Sequence, residues 1–336
     1  MKRLFLIIST ILTLTACSNE GAYYSATNDG SIKFGNIATR VPITNASEID
    51  QFTVYAEQNL GADRTTEAHQ WVSLLENERV YKDGSDFTYD NTRYWIENRT
   101  FFFFAVYPYG TSVTRTEDTI VHDGENATEF AYSVDVSVPY AANTDYLVAQ
   151  RTVCTNDVES EADYPTVGLS FEHLLSQINV KVKKADDNAK DTFIVTQIGL
   201  SNISRTASFK AVHAPNSYTE TFIVATESRR VRRQGLSVEL TTNGVDVLGD
   251  DGLLVIPQEL GSVKLTLEYS YKGESEKEVT YSTVEVDIPT DAVSKWEKGK
   301  KYTYTLTLEF DHNIYIGTPT VSDWSTPQAG GTIIIQ

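Results

Sequence analysis

The feature that most constrains this chain is an alternation of apolar and polar residues with a period of two. In residues 263–271 and 302–310 every second residue is apolar. Because successive side chains of a β-strand point to opposite faces, each run predicts a strand with one buried face. Shorter runs of the same kind occupy residues 134–138, 178–182, 236–240 and 284–288. The sequence therefore predicts an all-β fold.

Turn-forming pairs ending in glycine separate these runs, at residues 83–84, 123–124, 243–244, 251–252 and 272–273. Such pairs favour tight turns, and many short alternating strands with turns between them are typical of β-sandwiches. One segment, residues 65–80, fits two interpretations. It either contains a helix through Ala68, Trp71 and Leu75, or it ends in another strand.

The N-terminus has the pattern of a lipoprotein signal peptide. Lys2 and Arg3 precede an apolar run at residues 4–14, which is followed by Leu-Thr-Ala and Cys17. We interpret residues 1–16 as the signal peptide and Cys17 as the lipidated first residue of an outer membrane lipoprotein. The alternative is an ordinary signal peptide cut elsewhere. If Cys17 carries lipid, Cys154 is the only other cysteine, and no intramolecular disulfide is possible.

The remaining chain is long enough for two β domains. A polar, acidic stretch at residues 155–164 interrupts the alternation and is the candidate linker. We therefore expect two tandem antiparallel β-sandwich domains, residues 41–163 and 164–336. Residues 17–40 form a lipidated N-terminal segment before them.

Charge and motif content exclude several classes of function. The chain has 28 basic and 46 acidic residues, a net charge of −18, and should repel nucleic acid. The five histidines are scattered singly, and no phosphate-binding loop, nucleophile elbow or zinc pattern is present. Asp246, Asp250 and Asp251 fit a solvated turn better than a calcium site. We expect no cofactor, no metal ion and no catalytic residue.

One basic cluster stands out in this acidic chain, formed by Arg229, Arg230, Arg232 and Arg233. The sequence favours a solvated loop between strands. The functional alternatives are a protease-sensitive loop and a dock for an acidic partner.

Several segments, taken in order, resemble the fimbrillin (Mfa-like) family, subunits of the type V pili of anaerobic Gram-negative bacteria. These are residues 93–95 (RYW), 101–108 (FFFFAVYP), 145–149 (DYLVA), 167–182 (VGLSFEHLLSQINVKV), 296–304 (WEKGKKYTY) and 321–324 (VSDW). The resemblance implies that the sandwiches are transthyretin-like. It also implies that Trp95, Trp296 and Trp324 are core or inter-domain anchors, with a sugar-binding platform as the alternative. His173 is expected to be a structural histidine satisfied by the backbone.

The resemblance also implies a mode of assembly. Family members are exported as lipoproteins and then cut by an arginine-specific protease after their first strand, which opens a groove for another subunit's strand. Residues 31–37 form a short strand with Ile32 and Phe34 on one face, and the Arg40–Val41 bond follows it. The alternative is that Arg40 is an exposed linker residue.

An apolar strand at the C-terminus is the candidate donor. It contains Thr332, Ile333, Ile334 and Ile335. Such a strand either completes its own sheet or fills a neighbour's groove, which would give a head-to-tail polymer.

The resemblance thus implies a structural or adhesive subunit of a cell-surface fimbria. Its partners would be other fimbrial subunits, the outer membrane through the lipid, and a host or bacterial surface ligand. The alternative function is a monomeric surface lipoprotein that binds glycans or a host ligand.

Overall fold

The computed structural model describes residues 29–39, 49–59, 70–122, 125–140, 144–155, 164–185, 190–214, 217–275, 278–309 and 313–324. Within these ranges the chain forms twenty-one β-strands and one turn of 3-10 helix, Gly249–Asp251. The prediction of an all-β chain is confirmed. No helix within these ranges is long and apolar enough to cross a membrane.

The first nine strands are β1 (Phe34–Thr39), β2 (Gln51–Asn59), β3 (Trp71–Asp83), β4 (Asp86–Thr88), β5 (Thr100–Tyr107), β6 (Val113–His122), β7 (Glu125–Ser137), β8 (Leu147–Cys154) and β9 (Val167–His173). Seven of them form a closed barrel in the order β1-β4-β3-β2-β5-β8-β9. The pairs within it are antiparallel, except that β1 and β9 run parallel and close the barrel. The sequence predicted an antiparallel sandwich here, because alternation does not reveal which strands pair.

The later strands are β10 (Ser176–Lys184), β11 (Thr192–Ile203), β12 (Thr206–Ala214), β13 (Ser217–Val224), β14 (Arg229–Glu239), β15 (Val245–Asp246), β16 (Leu253–Val255), β17 (Lys264–Lys272), β18 (Thr280–Asp287), β19 (Lys300–Leu308), β20 (Ile314–Ile316) and β21 (Thr320–Asp323). One sheet is built on the parallel pair β10–β19, and a second has the order β14-β11-β17-β18. Both sheets contribute to one large hydrophobic core. The alternation that predicted β17 and β19 is seen directly in their burial.

A third sheet, in the order β13-β12-β7-β6, joins the two halves of the chain. Its strands β6 and β7 precede the predicted boundary at residues 163 and 164, whereas β12 and β13 follow it. Strand β9 also follows that boundary and yet belongs to the first barrel. Strand pairing therefore crosses the predicted domain boundary. The division of the chain into two domains at that boundary stays a prediction. Residues 156–163 of the predicted linker lie outside the described residues.

The apolar strand β5 lies between the two hydrophobic cores. Phe101 and Phe103 belong to the barrel core, whereas Phe102 and Phe104 belong to the large core shared with the later sheets. The continuous apolar run is explained by this position, since a strand buried on both faces has no polar side.

Two segments resolve alternatives that the sequence left open. Of the helix and strand interpretations of residues 65–80, the described part from residue 70 onward is strand β3. The cluster from Arg229 to Arg233 was expected in a loop but lies on strand β14 at the edge of its sheet. Only Val231 of this stretch is buried. Because the other residues are polar and show no apolar alternation, the sequence predicted a loop here.

Candidate functional site: the groove around the first strand

Strand β1 occupies a groove between β4 and β9. Phe34 pairs with Phe87 of β4 on one side and with Val167 of β9 on the other. The amide of Val167 donates a hydrogen bond to the carbonyl of Lys33 at 2.7 Å. The first strand is thus an integral part of the barrel.

A second set of bonds holds the residues that lead into β1. The amide of Ile32 donates to the carbonyl of Arg93 at 2.8 Å, and the amide of Trp95 donates to the carbonyl of Gly30 at 2.9 Å. The hydroxyl of Tyr89 donates to the carbonyl of Ile32 at 2.9 Å and accepts from the amide of Arg93. Burial raises the pKa of Tyr89, so its hydroxyl stays protonated and remains a donor.

Two side chains of the first strand plug the barrel. Ile32 is 1% exposed and Phe34 is 3% exposed. Phe34 packs edge to face against Phe52, Tyr89 and Phe103, with ring centroids 6.4, 5.5 and 5.9 Å away. Full burial of such a side chain is worth about 1.5–3 kcal/mol. The prediction that the Ile32 and Phe34 side chains lie on one face is consistent with this burial. The strand itself spans Phe34–Thr39 rather than residues 31–37.

An exposed turn precedes the plug. The amide of Ser31 donates to the Asp29 carboxylate at 3.1 Å, and the Ser31 hydroxyl bonds to the same oxygen. The hydroxyl bond and then the amide bond lower the pKa of Asp29 to about 2. Asp29 is therefore ionised over the whole neutral range and caps the turn.

The residues predicted for maturation and donation lie outside the described residues. These are Cys17, Arg40, Val41, Thr332, Ile333, Ile334 and Ile335. The first described range ends at Thr39, the last residue of β1 and the neighbour of Arg40. The groove and its occupant are thus described, and the cleavage site and donor remain predictions.

The second cysteine lies at the end of β8. Its Sγ is 3.6 Å from the Thr100 hydroxyl. The expectation that no intramolecular disulfide forms involves Cys17, which lies outside the described residues.

The tryptophans are buried, which confirms the prediction that they are anchors rather than a sugar platform. Trp95, Trp296 and Trp324 all lie in hydrophobic cores. Trp95 stands in the segment that holds Gly30 and packs edge to face on Phe101, with centroids 4.8 Å apart.

His173 has a different partner from the predicted one. Its Nδ1 lies 2.7 Å from a carboxylate oxygen of Asp145, and both side chains are almost fully buried. Burial raises the pKa of Asp145, and the contact with His173 opposes that shift. The histidine is structural, as expected, but a buried carboxylate rather than the backbone faces it.

The described residues hold no group of three or more metal-ligating side chains. At the acidic turn, one carboxylate oxygen of Asp246 accepts the amides of Leu248 and Gly249, each at 3.1 Å. That oxygen therefore closes a turn, in keeping with the structural interpretation.

Sequence reasoning missed how distant residues come together in the groove. Tyr89 and Arg93 lie more than fifty residues from Ile32, and nothing in the sequence connects them. Gly35 did carry a signal, since a glycine inside a strand often marks close approach of another chain segment.

The family model described as Fimbrillin-like matches residues 39–324. No curated protein matches this sequence. A fimbrial protein from Bacteroides vulgatus is similar, with a TM-score of 0.58 and 20% identity over 88% of this chain and 99% of that one. This likeness shows the fold alone.

Two more distant solved structures share lower similarity. A candidate cell adhesion protein from Bacteroides uniformis has 18% identity over 88% of this chain and all of that one, with a TM-score of 0.48. The tip fimbrial protein Mfa3 from Porphyromonas gingivalis has 10% identity over 82% of this chain and 95% of that one, with a TM-score of 0.35. The family model covers most of the chain, and the chain therefore belongs to the Fimbrillin-like family.

Proposed function

We propose that this chain is a structural or adhesive subunit of a cell-surface fimbria, assembled by strand exchange after cleavage between Arg40 and Val41. One observation carries the proposal. Phe34 of β1 and Ile32 just before it fill the barrel groove, and β1 ends at Thr39, the residue before Arg40.

Cleavage at this bond would change what holds β1 in place. The segment before the cut would be held in the barrel by backbone pairing with β4 and β9, by the hydrogen bonds of Gly30 and Ile32 to residues 89–95, and by the two buried side chains. Their departure would leave two unpaired strand edges and an apolar cavity. Both are unfavourable in water, so a strand from another subunit would bind there.

The C-terminal segment with Ile333 and Ile335 is the proposed donor. Ile333 and Ile335 are large, apolar and two residues apart, which is also the spacing of the two side chains that fill the groove. A donor at one end of a subunit and a groove at the other form a heterologous interface, which repeats without closing and gives a head-to-tail polymer.

The lipid would serve transport rather than the finished fibre. Acyl chains on Cys17 would hold the precursor on the outer membrane, because multiple acylation is needed for stable anchoring. Since Cys17 precedes Arg40, the same cut would separate the subunit from its anchor. A subunit that is not cut would remain a surface lipoprotein.

The test is the N-terminal sequence and intact mass of protein recovered from surface filaments. The expected product begins at Val41 and carries no lipid. Arg40→Lys is the matched control, because it keeps the charge but removes the arginine-specific site, and this variant should stay acylated and unassembled. If all chains recovered from the cell surface are acylated, start at Cys17 and form no filaments, the proposal is contradicted and the monomeric ligand-binding lipoprotein is favoured.

A further inference from the structure

The contact between Gly35 and Thr166 determines which strands fit the groove. A Cβ added at Gly35 would lie 2.8 Å from Cγ2 of Thr166, closer than real Cβ contacts come. Gly35 follows Phe34 directly and pairs with Gly168 of β9. At this point the occupant of the groove has no room for a side chain.

Space rather than backbone conformation explains this glycine. Gly35 is not among the glycines with positive φ, so its backbone is accessible to other residues. An alanine would meet only the Thr166 methyl group.

Thr166 cannot easily move away. The next residue, Val167, is fully buried, and its amide is bonded to the carbonyl of Lys33, the residue before β1. Threonine is also branched at Cβ, which restricts its side-chain rotation. The Thr166 methyl group is therefore held in place, facing the position of Gly35 in the groove.

We propose that Thr166 is a specificity-determining residue of the strand-exchange groove. The groove selects a strand that has a glycine at the position of Gly35 and large apolar residues one and three positions earlier. This inference rests on the proposed strand exchange. The chain's own C-terminal segment does not meet the rule, since Gln336 follows when Ile333 and Ile335 occupy the pockets of Ile32 and Phe34. Thr166 thus favours β1 over that segment.

The contact is tested first in the intact chain. Gly35→Ala should lower the unfolding temperature, and Thr166→Ser in the same chain should restore most of the loss because serine lacks Cγ2. Thr166→Val keeps a methyl group at that place and should restore nothing. Additive effects of Gly35→Ala and Thr166→Ser would overturn the inference.

Selectivity is tested in the full chain with a site for a sequence-specific protease inserted at residues 40–48. After cleavage, a labelled peptide of residues 31–39 should exchange into the groove. The same peptide with Gly35→Ala should bind about ten-fold more weakly, as expected for modest overpacking, and should regain affinity for the Thr166→Ser protein. The peptide of residues 330–336 should also gain affinity there.

The outcomes separate the two proposals. Equal binding of the glycine and alanine peptides to the unmodified groove would overturn the role of Thr166 while leaving strand exchange intact. Failure of every peptide to exchange would instead count against strand exchange, and the unfolding measurements would still decide whether Thr166 restricts the position of Gly35.

Discussion

Trp324 stacks face to face on His173, with ring centroids 3.8 Å apart and an angle of 17° between the ring planes. His173 ends strand β9, which forms one wall of the groove. Trp324 is the last described residue and also bonds through its amide to the carbonyl of Gly299. The last described residue is therefore fixed against a strand of the groove.

Replacing Trp324 tests this anchor. Trp324→Ala should lower the free energy of unfolding by about 3–5 kcal/mol, because it empties a large buried site and uncovers the His173–Asp145 contact. Tyr281→Ala is a suitable control, since Tyr281 is 77% exposed, and it should change stability by less than about 0.5 kcal/mol. Urea denaturation measures both. Equal denaturation midpoints for the two variants would show that Trp324 is not an anchor.

Phe34→Ala tests the plug. In the uncut chain it should cost about 3–5 kcal/mol of unfolding free energy, the usual range for a buried phenylalanine. After cleavage and loss of β1 the same substitution should have no effect, because the side chain has left with its strand. Tyr94→Ala, at an exposed position of the neighbouring segment, is the control. A loss that persists in the cut protein would mean that β1 had not departed.

A buried ion pair ties the barrel to the sheet of β6 and β7. Glu57 is fully buried and accepts two bonds from Arg115, at 2.6 and 3.0 Å, and one from the Tyr132 hydroxyl at 2.6 Å. The bonds to Glu57 raise the pKa of Arg115, and burial raises the pKa of Tyr132. Arg115 and Tyr132 therefore keep the protons that they donate to Glu57.

Arg115→Met should cost about 3–5 kcal/mol, because it leaves a buried carboxylate without its cation. Adding Glu57→Gln should recover part of the loss by removing that charge. Arg230→Met, at an exposed position with no ion pair in the described structure, is the control. If Glu57→Gln gives no recovery in the Arg115→Met chain, the loss does not come from the stranded charge.

Local sequence patterns predicted the strands. The features that they did not predict depend on contacts between residues far apart in the sequence. The alternation before Tyr271 and Leu308 and the apolar run of β5 are local, so β17, β19 and β5 were predictable. Glu57 is buried on β2 because it is bonded to partners 58 and 75 residues away. The closure of the barrel by β1 and β9 likewise joins segments more than 130 residues apart. Such pairings depend on tertiary structure, which a single sequence does not reveal.

The last prediction concerns pH and His213 on strand β12. Its ring stacks on Phe130 with centroids 4.7 Å apart, and Phe102 and Trp71 lie 4.7 and 5.0 Å away. Burial in this aromatic cluster lowers the pKa of His213 to about 4 from an ordinary value of 6.5. The folded protein therefore resists protonation of His213, whereas the unfolded chain accepts the proton near pH 6.5.

Stability should consequently fall as pH drops from about 6.5 to about 4, because the unfolded state binds more protons in this window. One pKa unit corresponds to about 1.4 kcal/mol, so the contribution of His213 is about 3 kcal/mol and is constant below pH 4. His213→Phe keeps an aromatic ring and removes the titration, so the gap between variant and parent should widen over the same window in urea denaturation at pH 7, 6, 5 and 4. Parallel losses in the two proteins would assign the acid sensitivity to other groups, since subtraction cancels every titration they share.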